Sequence, residues 1–130
     1  MHIMPRAKIT PFTGEDGSII RELASPANSG LTRHSLAEIR HPSGTASIEH
    51  YHTEAEEVYY VTEGRGEIQI NGTTHAICPG DVVVIAPGER HKVWSVGNSD
   101  LVLIVTCVPA YSVQEVVFTE QPALGSGSRV

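Results

Sequence analysis

The residues with the strongest chemical signal lie in the stretch Gly44 to Gly64, GTASIEHYHTEAEEVYYVTEG. His50 and His52 stand two residues apart in a run with strand character. Alternate side chains of a strand share a face, so the two imidazoles project together, with Cα atoms about 7 Å apart. That spacing lets both reach one metal ion. Residues 53–56 turn the chain, and Glu57 opens the run EVYYV. A short hairpin loop brings the second strand back beside the first, where a carboxylate can meet the two imidazoles. Glu56 competes for that role, but alternation into Tyr59 and Val61 makes Glu57 the inward carboxylate.

These residues need a scaffold, and the chain reads as short strands joined by Gly, Pro and Asn turns. Strands are predicted over 8–12, 18–23, the second half of 31–40, 46–52, 57–62, 67–70, 73–77, 82–86, 91–96 and 101–108. Asn71-Gly72 is a strong two-residue hairpin signal, and Pro109 breaks the last long strand. Many short strands at near-regular spacing imply an all-β sandwich or barrel. Residues 1–120 form the single predicted domain, and residues 121–130, with the run GSGSRV, read as a flexible tail.

Composition narrows the classes. A chain of 130 residues suits one domain with a real core. A net charge of −6 speaks against a basic nucleic-acid footprint. The aliphatic runs 82–86 and 101–105 are strand-sized, far short of a membrane span. The N-terminus lacks an apolar run long enough for a signal peptide. Cys78 and Cys107 show no CxxC spacing, so both are expected as reduced thiols in a cytoplasmic protein.

Gly44, His50, His52, Glu57 and Gly64 together resemble the first motif of the cupin superfamily. The stretch GDVVVIAPGERHKVWS is similar to the second, with Gly80, Gly88 and His91 at matching positions. Ala86 stands where a proline is usual and Ser95 where an asparagine is usual; neither is an expected ligand. The resemblance implies a double-stranded β-helix, or jelly-roll barrel, usually dimeric, with a metal inside. It adds His91 to His50, His52 and Glu57 as the fourth ligand.

Three imidazoles and one carboxylate suit one divalent transition metal (Mn, Fe, Ni, Zn, Co or Cu) rather than Ca or Mg. Neutral histidines and one carboxylate leave such an ion with a net charge near +1 and open positions. Such a centre attracts a small anionic or chelating molecule, polarises a carbonyl or binds O₂. Parity puts Ile48, Tyr59, Val61 and Val93 on the ligand faces. Tyr59 is a candidate for orienting substrate, against the plainer role of filling the barrel. Gln69 or Glu67, whichever points inward, is a candidate for a polar contact or proton transfer. Lys92 and Trp94 should face away from His91, with Trp94 packing against another strand or subunit. His34, His41 and His75 read as solvated, and His2 lies in a frayed end. Two functions follow: a metal-dependent enzyme of dioxygenase, lyase, decarboxylase or isomerase type, or a binding or sensing protein whose metal anchors a ligand.

Overall fold

The structure, a computed structural model, describes residues 1–120. The expected tail, residues 121–130, lies outside the described residues. Eleven strands follow in order: β1 (Phe12–Thr13), β2 (Ile19–Ala24), β3 (Ser35–His41), β4 (His50–His52), β5 (Glu56–Glu63), β6 (Gly66–Ile70), β7 (Thr73–Ile77), β8 (Val82–Ile85), β9 (His91–Ser95), β10 (Leu101–Val108) and β11 (Val116–Phe118). They form two antiparallel sheets, ordered β1-β2-β3-β10-β5-β8 and β11-β4-β9-β6-β7. This is the expected jelly-roll barrel. Among the described residues no helix is long and apolar enough to cross a membrane.

Alternation dictates the interior. On β5, Glu57, Tyr59 and Val61 are buried while Glu56, Tyr60 and Thr62 are exposed. Cross-strand partners continue each row: Tyr59 lies between Val105 and Val83, and Val61 beside Leu103. The second sheet contributes Ile68, Ile77 and Val93 to the same core, with Ile85 and Leu101 closing it. Each such side chain, almost fully withdrawn from water, stabilises the fold by about 1.5–3 kcal/mol.

Two glycines show why the turns take this form. Asn71 and Gly72 both have positive φ, at 49° and 85°, as the tight turn between β6 and β7 requires. Gly64 has φ +78°, and a Cβ there would lie 1.9 Å from the Asp100 carbonyl oxygen. No other residue fits so close to the neighbouring backbone.

Three expectations need correction. The strand predicted over 8–12 is instead a single 3₁₀ turn at Arg6–Lys8 followed by the short β1. Pro5 and Pro11 cannot donate to a ladder, and the Arg6 guanidinium is drawn out to Glu38, 2.6 Å away. The strand predicted over 46–52 is regular only from His50. Upstream, the Val93 N–H donates to Ser47 Oγ at 2.9 Å, so a side chain takes the place of a ladder carbonyl. His41, expected in solvent, is only 2% exposed. It ends the inward row Ala37, Ile39, His41 opposite Leu101, and burial lowers its pKa and keeps the ring neutral.

Candidate metal centre

The four motif residues come from both sheets. β4 supplies His50 and His52, and β9 supplies His91, which pairs with His50 across the ladder. β5 supplies Glu57 from the opposite sheet, held between Cys107 and Ile85. One donor atom from each of His50, His52, Glu57 and His91 falls within 4.8 Å of all the others. Glu57 Oε1 lies 2.9 Å from His91 Nε2 and 3.1 Å from His52 Nε2. His52, Glu57 and His91 are buried, and His50 is half-buried. Glu56, the competing carboxylate, is exposed on the other face.

The outer nitrogens decide what the inner ones offer. His50 Nδ1 lies 2.7 Å from the Ile48 carbonyl, and His91 Nδ1 lies 2.8 Å from the Glu89 carbonyl. A carbonyl only accepts, so in both rings Nδ1 carries the proton and donates it. Nε2 of each neutral ring therefore presents a lone pair, and the His91 lone pair points at a carboxylate oxygen. His52 Nε2, His91 Nε2 and Glu57 Oε1 are all buried without a hydrogen-bond partner. Buried polar atoms left this way are costly unless a cation or proton fills the space between them.

Electrostatics agree with that reading. Burial, reinforced by the neighbouring His91, pushes the His50 pKa down to about 4, so the ring is neutral at physiological pH. Burial resists ionisation of Glu57, but where His52 and His91 turn a proton toward it their contacts outweigh burial and bring its pKa down to about 2, so the carboxylate is anionic. Three imidazoles and one carboxylate fit a divalent transition ion, whose binding displaces any proton held between them.

Tyr59 lies where expected, 6% exposed, its ring edge-on to His91 at 5.9 Å. Gln69 does not. Ile68, 1% exposed, is the inward residue of β6, and Gln69 pairs with Lys92 on the opposite face. There it lines an open recess with Gly44, Thr45, Ala46, Trp94 and Ser95, away from the histidines. Glu67 shares that outer face and accepts a hydrogen bond from Trp94 Nε1 at 3.1 Å. Register decides the question, and the inward isoleucine leaves neither residue near the cluster.

Ser95, in place of the usual asparagine, keeps a structural role. Its hydroxyl donates to the Pro42 carbonyl at 3.1 Å and accepts from the Gly44 N–H at 3.2 Å. His75 is exposed, as expected; Cys78 is half-buried and Cys107 buried, with no bond between them.

Three residues near the cluster escaped the sequence reading, all from the segment after Pro109. The Tyr111 ring meets His52 edge-on at 6.0 Å, its backbone N–H held by Ser35 Oγ at 2.9 Å. Phe118 lies 6.1 Å from His50. Glu115 Oε1 stands 3.8 Å from His52 Nδ1. β11 pairs along all of β4, joining Val116 to His52 and Phe118 to His50. The run VVF was too short to read as a strand alone.

The cupin domain family matches residues 37–107, which span the four clustered side chains. The chain belongs to the cupin family. The uncharacterized protein MJ1618 of Methanocaldococcus jannaschii is 36% identical over 113 residues, 87% of this chain and 90% of that protein. The crystal structure of a predicted oxalate decarboxylase from Thermotoga maritima superposes with a TM-score of 0.73 at 25% identity, covering 83% of this cupin and 99% of that chain. The polyketide cyclase RemF from Streptomyces resistomycificus has the same fold, with a TM-score of 0.78 at 21% identity over 99% of this chain and 90% of its own.

Proposed function

We propose that this cupin is a metal-dependent enzyme of decarboxylase or lyase type, acting on a small, oxygen-rich anion. One observation carries the reading: the Nε2 atoms of two carbonyl-fixed histidines and of His52 converge with the Glu57 carboxylate on a common point. His50, His52, Glu57 and His91 would hold one divalent ion, of the series Mn, Fe, Co, Ni, Cu and Zn. Such an ion supplies Lewis-acid polarisation of a bound carboxylate or carbonyl oxygen. Similarity to a predicted oxalate decarboxylase supports a carboxylate substrate over other anions.

The chain's own contribution is then orientation and shape. Burial and the neighbouring Glu57 push the Tyr59 pKa well above the usual phenol range, so its hydroxyl stays protonated at neutral pH. A neutral phenol beside His91 can donate a hydrogen bond to an oxygen of a bound anion and so orient it. Tyr111, 56% exposed, covers the His52 ring edge-on.

A binding or sensing role is the second reading, and one observation favours it. Tyr59, Tyr111 and Cys107, three protic groups beside the cluster, all have raised pKa values, Cys107 to about 12 through burial and Glu57. None of the three is poised as a base near neutral pH.

Dimerisation belongs to the proposal as well, supported by Tyr60, Val82 and Val84, 45–69% exposed on the outer face of the larger sheet. Two unpaired thiols suit a cytoplasmic protein. The test is a panel of small dicarboxylates and keto acids, with CO₂ release and O₂ uptake recorded for protein loaded with each metal. CO₂ release without O₂ consumption supports the proposal. O₂ uptake replaces it with the dioxygenase reading, and saturable binding without turnover replaces it with the sensor.

A further inference from the structure

His52 differs from its two partners in one respect. The outer nitrogens of His50 and His91 each donate to a backbone carbonyl, whereas His52 Nδ1 is buried with no hydrogen-bond partner. The ring is 2% exposed, so water does not make up the loss. The carboxylate of Glu115, 14% exposed, stands 3.8 Å from that nitrogen. It is anchored there: Oε1 accepts the Ala55 N–H at 2.7 Å, and the Glu115 carbonyl accepts the Thr53 N–H at 3.0 Å. Glu115 thus grips the 53–55 turn between the strand bearing His52 and the strand bearing Glu57.

His52 has two competing carboxylates. With Glu57 only 3.1 Å from Nε2, a metal-free neutral ring gains by keeping its proton on Nε2. A ligand nitrogen must instead offer a lone pair, which sends the proton to Nδ1. We propose that Glu115 is a positioning residue for the metal centre: its carboxylate receives the proton-bearing Nδ1 of His52 and so selects the tautomer that coordinates. The inference rests on the metal reading above and deepens it. Outer carboxylates of this kind orient the ring and raise ligand basicity, and their loss costs about 10–100-fold in metal affinity. Glu115 lies outside residues 37–107, the part that matches the family, and is delivered by the segment leading into β11.

Glu115→Gln is the informative variant, because its amide oxygen can still accept the Ala55 N–H while the charge is gone. Zn²⁺ affinity is measured by competition with a chromophoric chelator. Imidazole N–H resonances of the Zn²⁺-loaded protein are recorded alongside. The expected result is a 10–100-fold weaker Kd, an unchanged far-UV spectrum and metal-free melting temperature, and a shifted, faster-exchanging His52 Nδ1–H signal. Glu22→Gln, on β2, serves as the charge control and should leave both readouts unchanged. Tight Zn²⁺ binding by the unaltered protein, with the same Kd and the same His52 signal in Glu115→Gln, overturns this inference alone. Failure of the unaltered protein to bind Zn²⁺ or the other divalent ions overturns the metal reading, and this inference with it.

Discussion

If the four side chains bind a divalent ion, the ion must stabilise the fold by a calculable amount. Binding to the folded state alone contributes RT ln(1 + [L]/Kd), about 2.7 kcal/mol at a hundredfold excess over Kd. Unfolding entropy of about 2.1 cal/mol/K per residue, over residues 1–120, gives about 0.25 kcal/mol/K. The metal should therefore raise the melting temperature of chelator-stripped protein by about 11 °C. His91→Ala removes the ligand held 2.9 Å from Glu57 Oε1, and its shift should shrink below about 2 °C. Because His91 is 1% exposed, the truncation also leaves a cavity and lowers the metal-free melting temperature. Val93→Ala is the matched control: it opens a cavity two residues along β9, at a core residue 2% exposed, yet removes none of the four clustered side chains. It should melt early and keep the full metal-dependent rise. Differential scanning calorimetry with Mn, Fe, Co, Ni, Cu and Zn settles the matter. A full-sized rise in His91→Ala, or none in the unaltered protein with any of the six, refutes the reasoning.

Acidification supplies another check. The folded-state pKa of His50, near 4, lies below its unfolded value, so the unfolded chain binds more protons and stability falls as pH drops from about 6.5 to 4. Glu57, also depressed, adds a loss from about pH 4.5 down to 2. Urea midpoints of metal-free protein should decline across both windows, and His50→Gln should make the upper decline shallower, the buried His41 supplying part of what is left. Gly64→Ala should cost at least about 2 kcal/mol, since positive φ and a backbone clash coincide there. Gly72→Ala, with similar φ but open space, should cost about 1 kcal/mol; equal denaturant midpoints for the two would contradict the clash. Ser47→Ala strips the Val93 N–H of its acceptor and should cost about 1–3 kcal/mol by the same measurement. Tyr59→Phe should lower kcat while leaving bound metal unchanged; unaltered kinetics assign Tyr59 to packing alone.

Much of this is legible in the sequence, for a physical reason. Period-two alternation needs only one buried face, and β5 has one, so Glu57 over Glu56 followed from Tyr59 and Val61. The Asn71-Gly72 turn was legible because few residues tolerate positive φ. Register was not, and so Gln69 and Glu67 stayed open until Ile68 was found in the core. His41 misled because a histidine at a strand end looks the same in sequence whether it points in or out. Residues 109–120 were silent for another reason. Tyr111, Glu115 and Phe118 acquire meaning only from β11 lying against β4, a pairing of residues more than sixty positions apart.

The division of labour inside the barrel follows from these same contacts. β10, β5 and β3 are zipped over long registers and fill the core with Val61, Leu101, Leu103 and Val105. β4, which carries two of the four clustered side chains, is three residues long and meets β9 at the single pair His50–His91. Its other edge depends on β11. The histidines are thus mounted on a lightly supported strand facing a rigid carboxylate from the opposite sheet. Four buried polar side chains held this close are costly without a cation between them. A strand clamped mainly by the 111–118 segment tolerates that arrangement, because the apolar half of the barrel supplies stability elsewhere. It follows that substitutions in β11 should disturb the cluster before they disturb the fold, whereas those in β10 should do the reverse.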